Sequence, residues 1–182
     1  FNKNLRIETV RPNRLKIDLD TGGEMISTSA GNALVKLTAA WLYGAPADGL
    51  RADVEMSLRA DQSGFPDFAD YQFNDPGRSA ARESFTLFDG NLDANGQANF
   101  RLDQPYLRQA PGKLKAGIRT RIFEPGGDFS SDNVSMSYSP YPAYAGIKLP
   151  QNRWGSNELK LNEEGIIDFV LVDEAGNAIS NR

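Results

Sequence analysis

Two long stretches of this chain alternate with period two. In "LRADVEMSLRA", Leu50, Ala52, Val54, Met56 and Leu58 share one face, while Arg51, Asp53, Glu55, Ser57 and Arg59 share the other. "KLKAGIRTRIF" repeats the scheme, with Leu114, Ala116, Ile118 and Ile122 inward and Lys113, Lys115, Arg119 and Arg121 outward. Side chains that point by turns to opposite sides belong to strands with one wet face, the habit of antiparallel sheets. "LRIETV", "RLKIDL", "ALVKLTAAWLYG", "ARESFTLF", "ANFRL" and "DNVSMSYS" are shorter or less regular candidates. Gly, Pro, Asn and Asp cluster between them, as turns require. No window carries a capped helical period. The spacing predicts an all-β, antiparallel β-sandwich with about seven to nine strands before residue 140.

The stretch "GAPADG" punctuates this pattern. Pro46 has no N–H for a central ladder, and Gly44 and Gly49 adopt positive φ without steric cost. It reads as a corner, either a hairpin loop or a crossing between sheets. Ala39 and Ala40 beside Trp41 suggest a packed face with room for the indole.

Composition removes whole classes of chemistry. The chain has neither Cys nor His. Thiol nucleophiles, disulfides, imidazole or thiolate metal sites and Ser-His-Asp machinery are therefore excluded from it. The net charge is −4 with both signs interspersed, so a nucleic acid is not an expected partner. No apolar run reaches the ~20 residues of a membrane-spanning helix, so direct membrane insertion is not expected. The chain starts at Phe1 rather than Met, which leads us to expect an upstream segment removed by processing or cutting.

"YSPYPAYAGIKLP" predicts a boundary. Pro140, Pro142 and Pro150 disfavour a continuous ladder, and an extended linker suits them. We expect one β-sandwich domain over residues 1–140. Residues 141–182 would be a linker and the incomplete start of a second β domain, with "ELKLN" and "GIIDFVLVDEAGNAIS" as its first elements. "LDANGQANF" and "VDEAGNAIS" share Asp, Gly three residues on, a polar residue and Ala, a faint repeat that suggests related modules in series.

Candidate sites are few. In "DGNLDANGQANF", Asp89, Asn91, Asp93 and Asn95 alternate as in a calcium loop. No register supplies both the glycine at the sixth position and the acid at the twelfth, so a turn is expected and no metal site. "GGDFSSDN" is a glycine-led turn without the context of a phosphate cradle. Paired carboxylates alone suffice for glycoside hydrolysis, but no pair stands out, and we assign no catalytic residue and no cofactor. "SGFPDFADYQFNDPG" interleaves Phe65, Phe68, Tyr71 and Phe73 with acids. These four form a candidate binding loop, for carbohydrate or a protein partner, or they pin the loop across the end of the sandwich.

The series "RPNRLKIDLD", "LVKLTAAWLYGAPADGL", "FPDFADYQF", "LDANGQANFRL", "RIFEPGGDFSS" and "YAGIK", in that order, resembles the macroglobulin-like domains of bacterial alpha-2-macroglobulins. The resemblance implies a sandwich of fibronectin- or immunoglobulin-like architecture, one complete macroglobulin-like domain followed by the start of another. It also implies a host: a large periplasmic protein, often a lipoprotein tethered to the inner membrane, that entraps endopeptidases after they cut a bait region. Its partners would be neighbouring domains of the same protein and, through the host, proteases. Many members carry a thioester between Cys and Gln. A cysteine-free chain cannot hold it, and no bait segment is recognisable, so this piece would be scaffold.

Overall fold

In a computed structural model, residues 13–27, 31, 34–61, 64–79, 83–102, 110–151, 159, 161 and 164–180 are described. Among them are ten strands, one 3-10 turn (Pro66–Phe68) and no α-helix. Residues 5–10, the "LRIETV" candidate, lie outside the described residues.

β1 (Leu15–Asp20), β3 (Leu34–Trp41) and β6 (Gln97–Arg101) make an antiparallel three-stranded sheet in the order β1-β3-β6. The facing sheet has five strands in the order β2-β8-β7-β4-β5, built from β2 (Met25–Ser27), β4 (Arg51–Ala60), β5 (Glu83–Asn91), β7 (Leu114–Phe123) and β8 (Phe129–Ser139). Their inward faces meet in one core. Val35, Leu37 and Ala39 of one sheet pack with Val54, Met56, Ile118 and Ile122 of the other, all at most 1% exposed. The alternation in β4 and β7 is thus the two-sided signature of a sandwich layer.

"GAPADG" is the crossing between sheets, since β3 and β4 lie in opposite layers. Trp41 N donates to Ala45 O and Gly44 N to Trp41 O, while Gly44 sits at φ 96°. Trp41 itself is half-buried at the rim. Its ring stacks on Tyr43 at 6.0 Å and lies 5.7 Å below the Arg14 guanidinium. β5 returns to the first sheet through a turn at Asp93, whose Oδ1 accepts the N–H groups of Asn95 (2.9 Å) and Gln97 (2.8 Å). The carbonyl of Gly96 in that turn accepts the N–H of Ala39 at 2.8 Å. A Cβ on Gly96 would collide with Ala39 O and come within 2.7 Å of Ala47 N, so only glycine lets turn and corner touch.

Two strands escape the sequence reading. β2 is three residues long and runs parallel to β8, a pairing that supplies no alternation to read. β9 (Ala143–Lys148) falls where an extended linker is expected. Pro140, Pro142 and Pro150 flank it instead of interrupting it, which leaves every residue of β9 an N–H to donate. β9 pairs antiparallel with β10 (Asp168–Asp173) in a separate two-stranded sheet. Of "ELKLN", Leu159 and Leu161 are described, and neither is in a strand.

Candidate functional site

The aromatic loop predicted from "SGFPDFADYQF" lies against the β9–β10 hairpin. Phe65 enters the 3-10 turn extended, with Pro66 preset for the first helical position. The N–H of Phe68 reaches Phe65 O and that of Tyr71 reaches Phe68 O, both at 2.9 Å. These two bonds coil the loop so that its four rings converge. Phe65 is 2% exposed, edge-on to Phe73 (4.7 Å between centroids) and tilted against Tyr144 of β9 at 5.5 Å. Phe68 meets Tyr71 and Phe73 edge-on at 5.8 and 6.4 Å. With Tyr144 and Val172 buried in the same cluster, the loop and the hairpin share a second hydrophobic core.

Polar contacts fix the register of this joint. Gln72 and Ile147 exchange both backbone hydrogen bonds, at 2.8 and 3.0 Å, which adds one residue pair to the edge of β9. The Lys113 ammonium sits 4.3 Å over the Phe65 ring and donates to Glu174 O at 3.0 Å. Burial pushes its pKa down against the pull of Asp61, Glu174 and Asp173. Ser27 Oγ donates to the Glu174 carboxylate. Ser139 Oγ and the Tyr144 hydroxyl lie 2.6 Å apart, and burial pushes that phenol's pKa up. Lys148 pairs with Asp70 at 3.1 Å, and that hydrogen bond raises its pKa. Gly146 is the contact point for Phe73, because a Cβ there would lie 2.5 Å from the ring.

The four predicted loop residues are therefore brought together, with Phe65 wedged between Lys113, Phe73 and Tyr144. Lys113, Tyr144, Gly146 and Glu174 complete the joint and were missed from sequence. "YAGIK" held the one available signal, a glycine between apolar residues that marks close approach of another group.

Several carboxylates elsewhere pair with guanidinium groups. Across β4 and β7, Arg121 grips Asp53 with two bonds of 2.8 and 2.6 Å and reaches Glu55 at 3.4 Å; Arg119 holds Glu55 at 2.5 Å. Asp53 is accordingly 6% exposed although it lies on the outer face. Arg51 binds Asp89 with two bonds of 3.0 Å. At "EPGGDFSS", buried Glu124 pairs with Arg14 at 3.0 Å, and Ser130 Oγ accepts Arg14 N at the same distance. Among the described residues no group of three or more acids stands close enough to hold a metal ion. No described helix is long and apolar enough to cross a membrane.

Fold and joint define a class: an antiparallel β-sandwich module with a second β unit docked on one end by an aromatic loop. The chain belongs to a bacterial alpha-2-macroglobulin family, matching the Bacterial Alpha-2-macroglobulin MG5 domain over residues 13–140. It is 23% identical over 144 residues to an alpha-2-macroglobulin of Xylella fastidiosa (strain Temecula1 / ATCC 700964), covering 79% of this chain and 9% of that protein. The native conformation of Escherichia coli alpha-2-macroglobulin is similar in fold, with TM-score 0.62 and 19% identity over 94% of this chain and 11% of that one. Salmonella alpha-2-macroglobulin reacted with methylamine gives TM-score 0.61 and 18% identity over 94% and 12%. The chain thus spans about a tenth of the length of these relatives.

Proposed function

We propose that this chain is a structural, non-enzymatic module of a large alpha-2-macroglobulin-like protein of the periplasm, in a host anchored to the inner membrane by a lipid. The module ends near residue 140, and residues 141–182 open the next macroglobulin-like unit. The host inhibits endopeptidases by bait cleavage and entrapment, with its reactive chemistry outside this chain. The observation that carries the reading is the family match over residues 13–140, which stops where the docked hairpin begins. The aromatic loop then serves as the socket between consecutive units, and its partner is the neighbouring unit of the same protein.

The test is to incubate the whole host with several endopeptidases and follow their action on large and small substrates. The expected result is bait cleavage followed by slowed attack on large substrates with small substrates spared. Undiminished attack on large substrates would sink the inhibitor reading.

A further inference from the structure

The β9–β10 pair has the register of the β1–β3 pair, six residues a side. The same turn follows: Trp41 N donates to Ala45 O after β3, and Asp173 N to Asn177 O after β10. Leu37 and Phe169 thus stand at equivalent places, and so do Leu15 and Ala143. The outer edges of the two pairs differ. At the head of β1 the Leu15 N–H ends on Ser130 Oγ at 3.2 Å. On β9 the described residues answer Ile147 alone, through the backbone of Gln72.

Antiparallel pairing fixes where the remaining groups point. Residues facing each other alternate between exchanging both hydrogen bonds and exchanging none. Ile147 gives both of its backbone bonds to Gln72, so it exchanges none with Phe169 across β10. Ala145 and Ala143 share that parity. Their partners agree, for the Leu171 carbonyl accepts Ile179 N and the Asp173 amide donates to Asn177 O, both on the far side of β10. The N–H and C=O of Ala145 and Ala143 therefore face away from β10, on the side of Gln72. Among the described residues none bonds to them. The chain that supplies Gln72 does not continue the ladder, because Asn74 Nδ2 donates to Asp61 O at 3.2 Å and Asp75 N to Pro111 O at 2.7 Å.

That edge is one wall of a groove of about 420 Å³. The rings of Phe73, Tyr141 and Tyr144 line it, and the described charged side chains in its lining, Asp75 and Arg78, pair with each other at 3.0 Å. An extended residue in a sheet fills about 160 Å³ at the usual spacings, so the groove takes about three, which matches residues 143–145. A residue opposite Ala145 carries its side chain outward, as Ala145 does. The next residue turns inward beside Tyr144, onto the rings.

We propose that the open edge of β9 at residues 143–145 is a binding site for an extended, uncharged segment of a separate polypeptide, which adds to the sheet as a strand beside β9. Main-chain bonds to Ala145 and Ala143 hold it, and an apolar side chain turned onto Phe73, Tyr141 and Tyr144 selects it. A charged segment is rejected, since the groove offers no described countercharge that is not already paired. The site is independent of what a host does with proteases.

The probe is the peptide Thr-Val-Thr-Val-Thr, amidated and carrying a neutral fluorophore. Its binding to this chain, read by fluorescence anisotropy, should saturate. Methylating the threonine amides, which face β9, should weaken it roughly tenfold, the scale of one strong hydrogen bond, while methylating the valine amides leaves it unchanged. Ala145→Pro removes the facing N–H and leaves the bonds to β10 intact, so it should weaken binding as much with an unchanged melt. Should that variant melt early, the methylated peptides decide alone. The peptide should also slow exchange at the Ala145 amide, with the Ile147 amide, bonded to Gln72 O, protected throughout. Absence of saturation, equal binding of the two methylated peptides, or full binding to a folded Ala145→Pro would overturn the proposal. So would an Ala145 amide already protected in the full-length polypeptide without peptide, since the host's own chain would then cover the edge.

Discussion

The β1–β3 and β9–β10 pairs share register and turn, yet they bury opposite faces. In β1 the inward residues are Leu15, Ile17 and Leu19, with Lys16 and Asp18 turned outward. In β9 the equivalent positions Ala145 and Ile147 are exposed and Ala143 is half-buried, while Tyr144 and Gly146 are buried. The difference comes from the neighbours. β1–β3 is roofed by the five-stranded sheet, and β9–β10 is gripped from its other side by Phe65, Phe68 and Phe73. Local grammar thus makes a strand pair and its turn, and the surface that arrives decides which face is core.

The largest expected effect is at the grip. Phe65→Ala should cost the docked hairpin about 3–5 kcal/mol of local stability, as for a buried ring elsewhere. Exchange at the Ile147 amide would rise while that of Ile118, deep in the first core, stays slow. If both accelerate together, joint and sandwich are one cooperative unit.

Next in size is Leu37→Ala, expected to cost the sandwich about 2–5 kcal/mol in urea unfolding. Its counterpart Phe169→Ala should stay within about 0.5 kcal/mol in this chain, as exposed side chains do. A large loss from Phe169→Ala would break the claim that the two faces differ.

The paired turns sharpen the contrast at smaller scale. Gly96→Ala combines a left-handed backbone (φ 71°) with a collision against the β3 corner, and about 3 kcal/mol is expected. Gly176→Ala has the same backbone demand (φ 95°) but meets only the edge of the Phe65 ring at 3.0 Å, so about 1–2 kcal/mol is expected. Thermal melts of the two variants decide the order.

The smallest effect is acid lability of the Asp173 turn. The Asn177 side chain, and then the N–H groups of Asn177, Ala175 and Gly176, hold this carboxyl below the usual carboxylate range. A depressed folded pKa means that the stabilisation is complete above the unfolded value and is lost as pH falls through the folded one. The turn should therefore loosen only below about pH 4. A carboxyl titration by NMR, with the Asn177 amide moving in step, checks it. An Asp173 midpoint at or above the unperturbed value would contradict the bonding.

Much of this architecture was legible beforehand, for reasons visible in particular residues. β4 and β7 alternate in sequence because one face meets the core and the other carries the Arg121–Asp53 and Arg119–Glu55 pairs. The echo between "LDANG" and "VDEAG" was also real. Asp93 and Asp173 each accept two turn N–H groups, with glycine three residues on at positive φ. The joint was only half legible. Four aromatics among acids announced a loop with a purpose, but Lys113 and Glu174 lie 61 residues apart in sequence, and nothing local ties them.

The sequence by itself determined where most strands run, where they turn and which chemistries lack their residues here. Side-chain periodicity, the φ demands of glycine and proline, and the absence of Cys and His are local or compositional, and they need no partner to act. Tertiary structure alone decided which layer β3 and β4 each join, that a three-residue strand lies parallel to β8, and that Tyr144 and Gly146 turn toward Phe73. Hydrophobic burial has no direction and no address. An apolar face is compelled to leave water, and only the folded chain supplies the surface that receives it.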